Sequence, residues 1–145
     1  MQIDNEKFFS NLADEMNASP DRFRALGEAD MVVALLMRKA DGADFAVRIV
    51  FESLTCEGVH EIPANEAHLA DFYLDGAIEH WHTMFDDIVA NGSASGRQTI
   101  NSLALLGTDI RLRGGDPMGT DKFSRFNQTL QEYLDGAARP AVPAS

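Results

Sequence analysis

The sequence predicts an α+β domain, an about five-stranded, mainly antiparallel sheet covered by four or five helices. Three observations predict it. Apolar residues recur at helical spacing near both ends of the chain. The candidate strands are grouped in the middle instead of alternating with helices. Neither an internal repeat nor a domain-sized linker divides the 145 residues. A chain of this length can bury roughly 70% of its unfolded surface in one core.

Taken in order, Asp4 is placed to cap a first helix whose apolar positions are Phe8, Phe9, Leu12 and Met16. Pro20, after Ser19, opens a short second helix, and Gly27 ends it. Met31 to Met37 is a continuous apolar run followed by Arg38-Lys39. Ala40-Asp41-Gly42-Ala43 signals a turn, and Asp44 to Leu54 is a second extended run. There Phe45, Val47, Ile49 and Phe51 alternate with Ala46, Arg48, Val50 and Glu52, so one face is buried and the two runs make a hairpin. Gly58 opens a shorter strand, Val59 to Ile62, which Pro63 ends. Ala70 to Leu74 is the next, with Phe72 and Leu74 on one face and Asp71 and Tyr73 on the other; Asp75-Gly76 reads as a turn.

From Ala77 the period becomes helical. Ala77, Trp81, Met84, Phe85 and Ile88 form one stripe, with Glu79, Thr83 and Asp87 opposite. Asn91 to Gly96 reads as a flexible link, and Arg97 to Leu105 as a helix. Asp109 to Arg113 is a strand with Ile110 and Leu112 inward and Asp109, Arg111 and Arg113 outward. Gly114-Gly115-Asp116-Pro117 breaks it. Phe123, Phe126, Leu130, Tyr133 and Leu134 give the cleanest helical stripe, and Gly136 supplies its stop. The expected domain is therefore 1–136, with 137–145 an Ala/Pro-rich flexible tail.

Composition narrows the function classes. The net charge of −11 argues against nucleic acid, which needs clustered Lys and Arg. Between Ile49 and Gly96 there is no Lys or Arg but there are nine acids and all four histidines; residues 97–125 are the reverse, with a net charge of +2. No apolar run approaches a bilayer span, so no stable membrane insertion is expected. Met1–Glu15 is acidic and amphipathic, unlike a signal peptide, and Pro143-Ala144-Ser145 is not a peroxisomal address. A lone cysteine, Cys56, cannot make an internal disulfide. The expected setting is the cytoplasm.

The order of elements from Asp71 to Leu134, with the residues at its joints, resembles the sterol carrier protein 2 family of sterol-binding domains. The residues that carry the likeness are Phe72-Tyr73-Leu74-Asp75-Gly76 followed by Trp81, then Leu103-Ala104-Leu105-Leu106-Gly107, then Ile110-Arg111-Leu112-Arg113-Gly114, and a last helix beginning near Thr120. The pattern covers most of residues 30–135. It departs from the family in an extra residue after Gly107, in Gly114-Gly115-Asp116 where Gly-Asp is usual, and in a longer link at Asn91–Gly96. The resemblance implies a helix-covered sheet that holds a sterol, fatty acid or acyl chain without catalysis.

Elementary energetics allows the same function. Each methylene moved out of water is worth ~0.8 kcal/mol, so an apolar wall binds a long chain with few polar contacts. The candidate wall is Phe45, Val47, Ile49, Phe72, Leu74, Trp81, Phe85, Ile88, Leu103, Ile110, Leu112, Phe126 and Leu130; the same residues would equally fill a solid core. The expected partner is a hydrophobic small molecule, bound by a monomer or homodimer with no cofactor.

Other chemistry finds little support. His80 and His82 lie ~200° apart around a helix and cannot share one metal ion. His82 and Asp86, four residues apart, suit a surface pair. Cys56 has no neighbouring base to make it nucleophilic. Two alternatives stay open. One is a small isomerase or dehydratase of the nuclear-transport-factor-2-like type using a His–Asp pair, although such folds usually end in long strands, whereas this chain ends in a helix. The other is an accessory interaction subunit of a lipid-metabolising enzyme.

Overall fold

The hairpin is where the sheet begins. In the computed structural model, which describes residues 1–139, β1 (Ala29–Arg38) and β2 (Phe45–Ser53) pair antiparallel without interruption from Ala29↔Ser53 to Met37↔Phe45. Directly opposed residues share a face. Met31, Val33, Leu35 and Met37 therefore meet Phe51, Ile49, Val47 and Phe45 as one apolar surface, and all are buried.

β3 (Thr55–Ile62) continues antiparallel beside β2, with a bulge at Val50/Phe51. It starts three residues before the expected Gly58. Ser53, with φ 58, reverses the chain without the Gly or Asn that would mark such a turn in the sequence. β4 (Phe72–Ala77) lies parallel to β1 on its other side, and β5 (Ile110–Arg113) closes the sheet antiparallel to β4. The order β3-β2-β1-β4-β5 gives a five-stranded mixed, mostly antiparallel sheet.

Asp75-Gly76 is not a turn; both residues stay in β4, where Gly76 stands opposite Met37 and Ile110. A Cβ on Gly76 would lie 2.6 Å from the Asp109 carbonyl oxygen, so glycine is what lets β5 close onto β4. The short 3-10 segment Ala64–Leu69 crosses to the outer face and buries Ala67.

Helices α1 (Glu6–Asn17), α2 (Pro20–Arg24), α3 (Ile78–Asn91), α4 (Ile100–Leu106) and α5 (Pro117–Asp135) supply the second layer. Asn5, not Asp4, caps α1, accepting from the Phe8 amide at 2.8 Å; Asp4 instead pairs with Lys39. Asp116 caps α5 and Pro117 takes its first position, so that helix begins three residues before Thr120. The stretch Asn91–Gly96 is tied down, contrary to expectation. The Asp87 carboxylate accepts from the Ser95 amide at 2.8 Å, and Asp135 accepts from the Ala94 amide at 3.0 Å. Order also extends past 136: Gly136–Ala138 forms a 3-10 turn, and Arg139 pairs with Glu132 and with buried Glu15. The remainder of the expected tail, 140–145, lies outside the described residues.

Candidate functional site

The candidate wall assembles on the covered face as the alternation requires. Register places Phe45, Val47 and Ile49 of β2 beside β1, Phe72 and Leu74 of β4 on its other side, and Ile110 and Leu112 of β5 beyond. Trp81, Phe85 and Ile88 come down from α3, Leu103 from α4, and Phe126 and Leu130 from α5. All but Leu112 and Phe126 are buried, and most have no accessible surface at all. A side chain without accessible surface borders no space the size of a water molecule. The helices therefore lie directly on these residues, and the layer is packed.

Aromatic edges account for much of that packing. Phe8 meets both Phe9 and Phe85 edge-on with ring centres 5.0 Å apart, and Phe9 stacks on Phe45 at 6.3 Å. Phe51 meets Tyr133, and Phe72 meets Phe123. Two buried polar tips are satisfied by backbone: Trp81 Nε1 donates to the Leu36 carbonyl at 3.1 Å, and the Tyr133 hydroxyl donates to the Phe9 carbonyl at 2.8 Å. Phe126 is the exception on α5. It sits half-buried beside Arg125, whose guanidinium lies 5.0 Å from the ring centre, and borders a groove with Glu28, Asp30 and Glu52.

The layer is thinnest at the β5 edge. α4 has seven residues and buries only Ile100 and Leu103, while Leu105 and Leu106 point into solvent at 84% and 54% exposure. Its polar ties are the Thr99 cap and the Gln131 side-chain oxygen, which accepts from the Ile100 amide at 2.6 Å. β5 has four residues, with Leu112 only half-buried beneath the layer.

A second feature, missed by the sequence reading except for its outward arginines, lies on the outer face. A cleft of about 260 Å³ is lined by Arg38, Arg111, Arg113, Asp75, His80 and Asp109, among others. Asp75 is buried and lies between two arginines. It accepts from Arg38 Nε at 2.6 Å and Nη2 at 3.0 Å, and from Arg113 Nε at 2.9 Å. Burial works to raise the Asp75 carboxyl, but the Arg38 hydrogen bonds and the charges of Arg38 and Arg113 outweigh it and hold the group below its ordinary value.

The remaining candidates fall apart in space. Among the described residues the histidine that approaches an acid is His80, 3.8 Å from Asp109, not His82 beside Asp86. Among the described residues no group of three His, Cys, Asp or Glu could hold a metal ion. Burial pushes the Cys56 thiol up to about 11, so little thiolate forms at neutral pH. No described helix is long and apolar enough to cross a membrane.

No family model matches the chain, and no curated protein matches it. Solved structures do. A crystal structure of sterol carrier protein 2 superposes with a TM-score of 0.73 at 19% identity, covering 95% of this chain and 98% of that one. A solution structure of a conserved protein from Thermus thermophilus, itself only provisionally assigned as a sterol carrier protein, gives 0.71 at 19% identity, covering 100% and 94%. At such identities the likeness establishes the fold. It is the sterol carrier protein 2 fold, as the resemblance implied, and not the nuclear-transport-factor-2-like alternative.

Proposed function

We propose that this protein is a non-catalytic binder of a hydrophobic ligand, a sterol, fatty acid or acyl chain, which it carries or presents to another protein. The observation that supports the proposal is a sterol carrier protein 2 fold with a continuous apolar sheet face beneath amphipathic helices. Because that face is packed, a ligand must displace helix side chains to reach it. The cheapest place is α4, where lifting the helix exposes Ile100 and Leu103, a cost of about 3–6 kcal/mol. An acyl chain of ten methylenes repays roughly 8 kcal/mol on burial, which exceeds the cost of lifting the helix; longer chains are needed to offset the entropy of association as well. Phe72, Leu74, Leu103, Ile110 and Leu112 would then receive the chain, while Trp81, Phe85 and Ile88 stay as the fixed wall.

Native mass spectrometry and thermal shifts across a panel of sterols and fatty acids test this directly. Stoichiometric adducts with a raised melting temperature support the carrier. A panel with neither adduct nor shift removes it. The packed core together with exposed Leu105 and Leu106 favours a second reading, an accessory subunit that docks on a lipid-metabolising enzyme through α4. That reading expects no adduct and a stable complex that Leu105→Ser with Leu106→Ser abolishes.

A further inference from the structure

The outer-face cleft plays no part in holding an apolar tail, and its construction points to a charged ligand. Alternation along β1, β4 and β5 sends Arg38, Asp75, Arg111 and Arg113 to the same side of the sheet, and pairing makes neighbours of residues scattered through the chain. In a chain of net charge −11 this gathers three guanidinium groups around one hollow. Positive charge is concentrated here against the trend of the whole surface.

The arginines are also held in place. Asp75, 5% exposed, takes the Nε of both Arg38 and Arg113 and so fixes the planes of their guanidinium groups. Arg113 spends only Nε in this way, and its two Nη groups have no partner among the described residues. Arg111 makes no hydrogen bond or ion pair among the described residues. A guanidinium oriented through Nε offers parallel N–H bonds that suit two oxygens of a carboxylate or phosphate. Of the opposing acids, Asp44 is 3.6 Å from Arg38, while Asp109 lies 3.8 Å from His80 and leaves its carboxylate at the cleft wall. Among the described residues, Arg111 and the Arg113 fork thus remain free to take a ligand's oxygens. The cleft also borders the yielding corner, because Thr108 and Asp109, which join α4 to β5, form one of its walls.

We propose that this cleft is an oxyanion site, in which Arg111 and Arg113 grip a phosphate or carboxylate while Asp75 and Arg38 position them. The anion is either free or the headgroup of an amphiphile. The headgroup form rests on the hydrophobic-ligand proposal; the free-anion form does not.

The test follows the Nε–H signals of the arginines by NMR in the full chain, titrated with inorganic phosphate and, separately, with octyl phosphate. Phosphate should move the Arg111 and Arg113 signals saturably. Arg111→Gln, an exposed position without partners among the described residues, should weaken binding about tenfold or more, whereas Arg125→Gln, on α5, should leave it unchanged. Octyl phosphate binding about tenfold or more tighter than phosphate assigns the site to an amphiphile's headgroup; equal affinities assign it to a free oxyanion. The site is refuted if neither titrant moves these signals, or if Arg111→Gln binds as well as the unaltered protein. Phosphate binding without any fatty-acid or sterol adduct would leave the cleft standing and remove only the apolar ligand.

Discussion

α3 and α4 both cover the same sheet face, yet they are held to it in different ways. α3 has fourteen residues and drives Trp81, Met84, Phe85 and Ile88 into the core, with Trp81 additionally hydrogen-bonded to the Leu36 carbonyl. Around it Phe8, Phe9 and Phe45 form a chain of ring contacts that ties α1, α3 and β2 together. α4 is half as long, buries two side chains, and covers the shortest strand, at the edge of the sheet. Local opening follows the number of buried apolar contacts. The α1–α3 side is therefore the better anchored part of the covering layer and the α4–β5 side the part expected to open first, as the proposed entry of an apolar ligand requires.

The contrast is open to direct attack. Trp81→Ala removes the largest wholly buried side chain and a buried hydrogen bond, and should cost about 3–5 kcal/mol in chemical denaturation. Leu103→Ala, beneath the short helix, should cost about 2 kcal/mol, because α4 can settle into the space. Equal losses at the two positions would erase the distinction between the two sides.

A smaller effect sharpens the description of the opposite face. Asp75→Asn leaves Arg38 and Arg113 without their shared carboxylate; as both arginines are about half exposed, the expected loss is about 1–2 kcal/mol at neutral pH. The folded Asp75 carboxyl titrates below its ordinary 3.8. Its contribution is thus fully present above that value and disappears as pH falls through the lower, folded one. Denaturation curves of the two proteins should converge on that acid side. A gap that stays constant through the acid range would mean that the carboxylate is not what Arg38 and Arg113 hold.

Much of the fold was legible in the residues themselves. The alternation of Phe45, Val47, Ile49 and Phe51 and the turn at Ala40–Ala43 gave the hairpin, and the stripes around Trp81 and Leu130 gave the two main helices. Errors arose where long-range partners decide. Asp75-Gly76 has the composition of a turn but remains extended because β1 and β5 pair with it on both sides. The link Asn91–Gly96 looks loose, yet Asp87 and Asp135 hold it. β3 starts early because Asn17, from α1, bonds both the amide and the carbonyl of Cys56, a contact between residues 39 apart.

The candidate wall was legible as a set of apolar residues on one face, since period alone assigns them. Whether helices stand off that face or lie on it depends on side-chain volumes summed over five elements, which no local pattern records. The cleft was half visible. Arg111 and Arg113 were placed outward correctly, but the parallel pairing of β1 with β4, which brings Arg38 and Asp75 to them, has no signal in the sequence.

Hydrogen exchange of the full chain, with and without a saturating long-chain fatty acid, tests that opening most directly. Without the fatty acid, amides of α4 and β5 should exchange much faster than those of α3 and β1; with it, protection should rise across 96–113 and stay unchanged in α3. Exchange at the same rate in α3 and α4, or no new protection when the fatty acid is added, would contradict an apolar ligand entering at the α4–β5 corner.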